Sequence, residues 1–316
     1  MIVRDVAALD VGQTEHAAFP SLTRQPNGET HLVWRQGSDH YAARDGEIWR
    51  ATSHDDGRTY DDAMRLRVGG DHRDPSLTVA RDASYLTWFA GTSGNPAAGV
   101  YAMREWGPTI RVDTALARAA TTAPVVELPN GELGIVYYGR KSTESRDTCW
   151  MAWSTDDGRH WTGQNRITNQ LAAGRDTNEP WAVVDDDLVH VFYRWGMNSA
   201  IGMRTTSGSG HSGWNSERQI LANATGRPTV LRTQSGMLVM VYRDQASRSA
   251  ELAWSTDHGA TWAQGLLLLS AEAGSPNGMT YAAMVEDTQQ QVIRGVVAME
   301  RKDGTSSLYG FELDPA

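Results

Sequence analysis

The sequence predicts an all-β protein, a six-bladed β-propeller whose blades are four-stranded antiparallel sheets. The first observation is an eight-residue box that occurs three times at equal intervals, beginning at Ser53, Ser154 and Ser255. The second is a segment, usually centred on a proline, that recurs at about half that interval. Its six copies read AFPSL, RDPSL, TAPVV, NEPWA, GRPTV and, without the proline, GMTYAAM. Such regular spacing indicates internal repeats.

Each repeat contains signals for four short strands. An apolar run follows the proline, a turn such as PNGE or QSGM comes next, and an aromatic strand such as HLVWR, YLTWF or HVFYR follows the turn. A third strand such as EIWRATS or AELAWS leads into the box or its remnant. Four antiparallel strands in roughly fifty residues are typical of one propeller blade.

The two ends of the chain are expected to share a blade. The segment IVRDVAALDV precedes the first repeat, whereas the sixth repeat ends after its third strand. We therefore expect the N-terminal strand to supply the missing edge, which closes the ring and removes exposed strand edges. Residues 1–316 would then form a single domain.

The composition argues against several classes of protein. The net charge of −9 disfavours nucleic acid as a partner, because such binding depends on basic surface. The sequence has no run of about eighteen apolar residues, so no membrane insertion is expected. The N-terminal segment lacks the pattern of a signal peptide, which favours a cytoplasmic protein, or a virion-associated one if it is of phage origin. The single cysteine, Cys149, excludes an internal disulfide, and the histidine spacing predicts neither a metal site nor a cofactor.

The boxes SHDDGRTY, STDDGRHW and STDHGATW are expected to be structural. In a four-stranded blade they occupy the turn between strands three and four. The proline segments and the loops between strands two and three lie at the opposite end. The aspartate should accept backbone hydrogen bonds in its own turn, the glycine should supply a positive φ, and the aromatic residue should pack between blades.

The boxes resemble the Asp boxes of the sialidase (neuraminidase) superfamily, and the resemblance extends over essentially the whole chain through its repeats. It implies a site with three arginines that bind the substrate carboxylate, an aspartate acid/base in the first blade, and a tyrosine nucleophile paired with a glutamate. A tyrosine suits an acidic sugar, because the sugar's own carboxylate would repel a carboxylate nucleophile.

Matching this pattern to the sequence gives the catalytic candidates. The loop WRQGSDHYAARDGE offers Asp39 or Asp45 as the acid/base, with His40 as a further acid or base. Glu179 in TNEPWA stands where the glutamate is expected. The segment GMTYAAM resembles the one that carries the nucleophile, which makes Tyr281 the candidate.

Most of the candidates for substrate binding are arginines. Arg35, Arg194 and Arg243 each follow an aromatic second strand, so they should project from one rim toward the central axis. There they could bind an anionic group in the bidentate geometry that arginine favours. Arg227 in the fifth proline segment is a further candidate.

One arginine of the superfamily pattern is missing. Ala18 stands where an arginine usually precedes the first proline segment. Arg73 and Asp74 in HRDPSL could replace the lost contact from the second blade, and Asn178 stands beside the candidate glutamate.

These residues favour an exo-glycosidase that acts on a terminal acidic sugar, with an acidic glycan as its partner. Two alternatives stay open. A polysaccharide lyase on the same fold would use His40 and Tyr281 for proton abstraction, and a non-catalytic glycan-binding propeller, such as a host-recognition protein of a phage tail, would use no nucleophile. Trp181 and Trp195 could stack on a sugar ring, although packing between blades also explains them.

Overall fold

The computed structural model describes residues 1–12, 15–40, 44–67, 69–92, 95–113, 116–169, 175–196, 200–275, 278 and 280–315. Within these residues all regular secondary structure is β-strand, in 25 strands. They include no helix that is long and apolar enough to cross a membrane. The described strands form four hydrogen-bonded sheets, of eight, nine, four and four strands. For description we divide the strands in chain order into six groups, which we call units 1 to 6.

Units 1 to 3 are antiparallel groups of consecutive strands. Unit 1 contains β2 (His16–Arg24), β3 (Thr30–Gly37), β4 (Glu47–Ser53) and β5 (Asp61–Arg67). Unit 2 contains β6 (Asp71–Ala80), β7 (Ala83–Thr92), β8 (Asn95–Arg104) and β9 (Thr109–Arg111). Unit 3 contains β10 (Arg118–Ala120), β11 (Val126–Glu127), β12 (Leu133–Arg140), β13 (Thr148–Ser154) and β14 (Thr162–Arg166).

Units 4 to 6 follow the same plan. Unit 4 contains β15 (Thr177–Asp185), β16 (Leu188–Trp195), β17 (Ala200–Ser207) and β18 (Arg218–Ala222). Unit 5 contains β19 (Ala224–Arg232), β20 (Leu238–Asp244), β21 (Ala250–Ser255) and β22 (Ala263–Leu269). Unit 6 contains β23 (Thr280–Asp287), β24 (Val292–Glu300) and β25 (Ser306–Asp314). Its fourth strand is β1 (Ile2–Ala8), which pairs antiparallel with β25.

The second strand of each unit is buried along most of its length. The strands β12, β20 and β24 read LGIVYYGR, LVMVYRD and VIRGVVAME, and nearly all of their residues are buried. A continuous apolar run of this length is expected where both faces of a strand are covered. Each second strand is therefore covered on both of its faces.

Six hydrophobic clusters fill the spaces between units. Each cluster combines buried residues of neighbouring units, as where Tyr85 of unit 2 and Ile135 of unit 3 share one cluster. Another cluster contains Leu32 of unit 1 and Val296 of unit 6. The first and last units of the chain therefore share a core.

The three boxes form the turns that the sequence predicts. In each box the aspartate, Asp55, Asp156 or Asp257, accepts a hydrogen bond from the backbone N–H four residues later, at 2.8 to 2.9 Å. The glycine of each box has a φ between 75° and 88°. Hydrogen bonds from His160 and Thr261 lower the pKa of Asp156 and Asp257, respectively, to about 2. These two aspartates therefore remain ionised at neutral pH.

The aromatic residues of the boxes pack as expected. Tyr60 belongs to the cluster between units 1 and 6. Trp161 packs against the cluster between units 2 and 3. Trp262 of unit 5 meets Phe192 of unit 4 edge-on, with ring centroids 5.7 Å apart. The interpretation of the boxes as structural turns is confirmed.

Each box also binds the neighbouring unit at the turn between its first and second strands. Arg81 of unit 2 donates a hydrogen bond to Asp157 of the second box at 2.7 Å. The His258 ring of the third box lies 2.8 Å from Asp185 of unit 4. The first box bonds in the same way to Gln290 of unit 6. The boxes thus connect units at one end of the fold and leave the other end free for a site.

The serine of each box should be the residue whose loss costs most stability. Ser154 is fully buried, and its hydroxyl accepts a hydrogen bond from the Gly158 N–H at 2.9 Å. Ser154→Ala should lower the free energy of unfolding in urea by about 1–3 kcal/mol, because the buried N–H loses its acceptor. The exposed neighbour Thr155 gives the control variant Thr155→Ala, which should be neutral. Equal effects of the two substitutions would contradict this account.

Candidate active site

A pocket of about 180 Å³ lies at the end of the units where the first strands begin. The boxes contact the opposite end. Side chains from several units line this cavity, which we call the central pocket. They are Phe19, His40, Arg73, Asp74, Phe89, Ala97, Arg118, Tyr138, Glu179, Arg194 and Tyr281.

The backbone of three first strands directs side chains into the central pocket. The residue before the proline has a positive φ in each, 55° at Phe19, 48° at Asp74 and 51° at Glu179. The strand register shifts at the same places, which marks a β-bulge. Such a φ costs roughly 1–3 kcal/mol for a residue with a side chain. A bulge re-aims a side chain, and all three of these side chains line the pocket.

A tyrosine and a glutamate from distant parts of the chain meet in the pocket. The hydroxyl of Tyr281 in β23 donates a hydrogen bond to Oε1 of Glu179 in β15, at 3.2 Å. The other carboxylate oxygen of Glu179 lies 3.4 Å from Nε of Arg194. The pocket therefore holds a buried phenol whose proton faces a carboxylate that is ion-paired on its other side.

Asp74 is a second carboxyl group of the pocket and is only 5% exposed. Burial raises the pKa of Asp74 to about 7; the buried Arg227 cation opposes this rise and the Glu179 carboxylate adds to it. Asp74 is therefore partly protonated at neutral pH. A carboxylic acid with such a pKa can act as a general acid.

A buried carboxylate, Asp71, is shared by two arginines beside the pocket. Arg73 donates from Nε to Asp71 at 2.7 Å, and Arg35 donates to the same carboxylate at 3.4 Å. Arg73 also donates to the backbone carbonyl of His40 at 2.9 Å. Both guanidinium groups are thus held by the same carboxylate at this wall of the pocket.

A second arginine pair shares Asp147 at another wall. Arg118 forms an ion pair with Asp147, and Arg140 lies 3.7 Å from the same carboxylate. Asn178 also donates to Asp147, at 3.1 Å. The guanidinium of Arg118 lies 5.9 Å from the centre of the Tyr138 ring, and its side chain remains 34% exposed. Arg118 therefore presents a partly exposed guanidinium at this wall.

His40 belongs to an aromatic wall. Its ring stacks on Tyr281 with centroids 6.1 Å apart, and it contacts Phe19 at 5.1 Å and His16 at 5.3 Å. Burial lowers the pKa of His40 well below its usual range, and that of His16 to about 4. Both imidazoles are therefore neutral at physiological pH.

The sequence candidates divide into two groups. The central pocket is lined by His40, Arg73, Asp74, Glu179, Arg194 and Tyr281. Outside its lining lie Arg35, Asp39, Asp45, Asn178, Arg227 and Arg243. Within the described residues, the pocket therefore contains the expected tyrosine and glutamate, two of the candidate arginines and Asp74, but neither of the loop aspartates considered as the acid/base.

The two loop aspartates have other partners. The carboxylate of Asp45 accepts hydrogen bonds from the backbone N–H of Ser38 at 3.2 Å and is exposed. Desolvation by burial raises the pKa of Asp45, but the hydrogen bonds from Ser38 together outweigh it, so the net shift is downward. The backbone carbonyl of Asp39 accepts a hydrogen bond from Arg35 at 2.8 Å. The Asp45 side chain thus binds the backbone of Ser38, and the Asp39 backbone carbonyl binds the Arg35 side chain.

Two predicted arginines bind backbone carbonyls. Arg227 donates to the carbonyl oxygens of Pro20 at 3.0 Å and Ala282 at 2.6 Å, and it is almost fully buried. Arg243 donates to the carbonyl oxygen of Gly278 at 3.0 Å. Arg227 therefore lies in the core, where it connects first strands of different units.

The two tryptophans considered for sugar stacking pack inside the protein. Trp181 is buried, donates from Nε1 to the carbonyl of Val230 at 2.8 Å, and faces Arg227 at 5.2 Å. Trp195 packs against the core cluster around Tyr193. Neither of them lines the central pocket.

Arg118 and Tyr138 are pocket residues that the sequence interpretation missed. A signal for this wall was present, because Arg140 follows an aromatic second strand, YYGR, as Arg35 and Arg194 do. Arg140 is the register partner of Arg118 across β10 and β12. Treating unit 3 like the other units would have pointed to this wall.

One cluster of possible metal ligands occurs among the described residues. It consists of Asp185, Asp186 and His258. Arg232 forms ion pairs with both carboxylates. The cluster therefore forms part of the contact between units 4 and 5, in which the His258 ring also lies 2.8 Å from Asp185.

Comparison with solved structures identifies the same fold in proteins of low sequence identity. A protein of unknown function from Dyadobacter fermentans is 15% identical, with a TM-score of 0.80, and the match covers 99% of both chains. The α-L-arabinofuranosidase of Fusarium graminearum in complex with arabinobiose is 12% identical, with a TM-score of 0.72, over 99% of this chain and 98% of the other. These matches show a common architecture.

A sialidase of Trypanosoma rangeli is 12% identical, with a TM-score of 0.72. The match covers 95% of this chain and 54% of the sialidase, so the chain spans about half of that protein. No curated protein sequence gives a match. The model of the BNR repeat-like domain matches residues 82–304. The resemblance seen in the boxes is thereby confirmed, and the chain belongs to the BNR repeat-like domain family.

Proposed function

We propose that the six units form a six-bladed β-propeller, in which β1 closes the ring and residues 1–316 form one domain. The core shared by units 1 and 6 supports a closed ring. So does a cavity of about 360 Å³ that is lined by first-strand segments of all six units, as expected for the channel of a propeller.

We propose that the protein is an exo-glycosidase acting on a terminal acidic sugar. The observation that carries this proposal is the hydrogen bond between Tyr281 and Glu179 inside a pocket lined by arginines. A phenol beside a carboxylate base can act as a nucleophile. The arginines favour an anionic ligand. The small volume suits one terminal sugar residue.

The proposed reaction has two displacement steps. In the first, Oη of Tyr281 bonds to the anomeric carbon while the glycosidic C–O bond breaks. The phenolic proton passes to Glu179, and Asp74 gives its proton to the leaving oxygen. In the second, the Asp74 carboxylate takes a proton from water as that water displaces the tyrosine oxygen, and Glu179 returns the phenolic proton. Two displacements retain the configuration of the sugar.

Arg73 and Arg118 are the proposed contacts for the sugar carboxylate. Each belongs to an arginine pair that shares an aspartate, and each lines the central pocket. Arg194 also lines the pocket but is paired with Glu179. Arg73 and Arg118 belong to units 2 and 3 and would compensate for Ala18 in unit 1.

A polysaccharide lyase is the second candidate, because the neutral His40 stacks on Tyr281 in the same pocket. A neutral imidazole can accept the proton that elimination removes. The two reactions differ in product. Mass spectrometry would detect a released saturated monosaccharide from the glycosidase and an unsaturated uronate from the lyase. Binding without any product would favour the non-catalytic alternative.

Tyr281→Phe and Glu179→Gln should each lower kcat by at least about a hundredfold, because they remove the nucleophile and its base. Binding of the acidic glycoside should persist in calorimetry. Tyr242→Phe is the matched control, since Tyr242 donates a hydrogen bond to Glu251 at 2.8 Å but does not line the pocket. Full activity of both pocket variants would exclude this pair from catalysis.

The pH profile should reflect Asp74. Because its pKa is raised to about 7 and the acid form is the reactive one, kcat/KM should fall as pH rises through about 7. Asp74→Asn should remove this limb and lower the rate. An activated phenol as leaving group should restore much of the rate, since it needs no proton.

Asp45→Asn is the control for Asp74, because Asp45 is an exposed carboxylate outside the pocket lining. It should leave both the rate and the pH profile unchanged. If Asp45→Asn instead removed the limb, the loop aspartate predicted from the sequence would be the acid.

Arg118→Ala should raise KM for an acidic glycoside by about tenfold or more, because a charge-assisted hydrogen bond contributes about 1.5–3 kcal/mol. KM for the methyl ester of the same glycoside should change little. Arg166→Ala is the matched control, since Arg166 also pairs with a carboxylate, Glu144, and stacks on Trp150 away from the pocket. Equal effects on acid and ester would argue against carboxylate recognition.

A further inference from the structure

A second cavity, of about 400 Å³, lies on the outer edge between units 1 and 2. It shares no lining residue with the central pocket. Strands β4 and β5 form one side, and β8 with the turn to β9 forms the other. We call it the edge cavity, and its lining residues are Arg50, Met64, Leu66, Arg67, Met103, Trp106 and Gly107.

An unusual turn places an aromatic ring in the edge cavity. Trp106 has a φ of 59° and follows Glu105, which has a φ of 49°. A bulky residue is uncommon in this left-handed region, which asparagine or glycine would occupy at lower cost. The indole nevertheless remains 39% exposed. A strained backbone that presents an exposed tryptophan suggests selection for contact with a ligand.

The edge cavity also holds two arginines without carboxylate partners among the described residues. The guanidinium of Arg50 contacts the Met64 sulfur at 3.4 Å and lies 5.1 Å from the centre of the Trp106 ring. Arg67 contacts the Met103 sulfur at 3.2 Å and the Thr109 hydroxyl at 2.5 Å.

The Nε atoms of Arg50 and Arg67 are buried and have no hydrogen-bond partner among the described residues. The guanidinium of Arg67 also lies 4.9 Å from the centre of the Trp88 ring, whereas Arg65 on the same strand pairs with the carboxylate of Glu47 at 3.5 Å. In a chain with net charge −9, two cations that line one cavity and form no ion pair among the described residues make a local positive site. Such a site attracts an anion.

We propose that the edge cavity is a non-catalytic binding site for an acidic saccharide, whose carboxylate or sulfate contacts Arg50 and Arg67 while its ring packs against Trp106. A sugar ring has an apolar face and can pack on an indole. The choice of a saccharide over other anionic ring compounds rests on the proposed function. The site would hold a glycan chain while the central pocket acts on its end.

The test uses the full chain carrying Glu179→Gln, so that bound saccharide is not consumed. The indole N–H resonance of Trp106 is assigned by its loss in Trp106→Asn, a substitution that suits the left-handed φ and should preserve folding. Oligogalacturonate and sialyllactose are then titrated as probes. We expect at least one of them to shift this resonance saturably, and its methyl ester not to do so.

Arg67→Ala and Arg50→Ala should each weaken that binding at least tenfold. Arg65→Ala is the matched control, because Arg65 also lies over a tryptophan, Trp49 at 5.7 Å, but pairs with a carboxylate outside the edge cavity. It should leave the affinity unchanged.

Three results would overturn the proposal. The first is no shift with any probe, and the second is a shift with a nucleoside monophosphate but with neither saccharide. The third is an equal shift with sulfate alone, which would indicate an adventitious ion only. Failure of the proposed catalytic function would be seen differently, as absence of product from the unmodified chain while the Trp106 resonance still shifted.

Discussion

The buried guanidinium of Arg227 is the interaction on which the centre of the fold depends. It donates hydrogen bonds to backbone carbonyls of units 1 and 6, at Pro20 and Ala282, and lies between the rings of Trp181 and Tyr281. A cation in the core is tolerated only with acceptors and opposite charge nearby. Asp74 and Glu179 are the acids that interact with it. The cation that connects the first strands of units 1 and 6 therefore also interacts with the two acids of the pocket.

The two acids that interact with Arg227 lie in different environments. Asp74 is deeply buried, so desolvation raises its pKa although the Arg227 cation opposes this rise. Glu179 instead pairs with Arg194 and accepts a hydrogen bond from Tyr281. Asp74 can therefore supply the acid of the site, while Glu179 is the group that faces the phenolic proton. The proposed division of roles follows from these partners.

The sequence predicts those features that local chemistry determines. Serine, aspartate and glycine at fixed spacing specify the turn of an Asp box, and the repeats specify the strands. The pairing of Tyr281 with Glu179 was expected from resemblance. The ion pair of Arg35 could not be predicted, because its partner Asp71 lies on a different unit. The positive φ at Asp74 likewise depends on a β-bulge for which the sequence contains no local signal.

The contacts made by the boxes and the residues of the central pocket lie at opposite ends of the same strands. The boxes join neighbouring units near the ends of first strands, as where His258 meets Asp185, the last residue of β15. Near the start of that strand, Glu179 holds an unfavourable φ before its proline. Strained residues persist only where the surrounding structure determines their conformation strongly. The boxes hold one unit against the next through these contacts. A box far from the pocket can therefore contribute to the conformation of Glu179 without contacting the pocket.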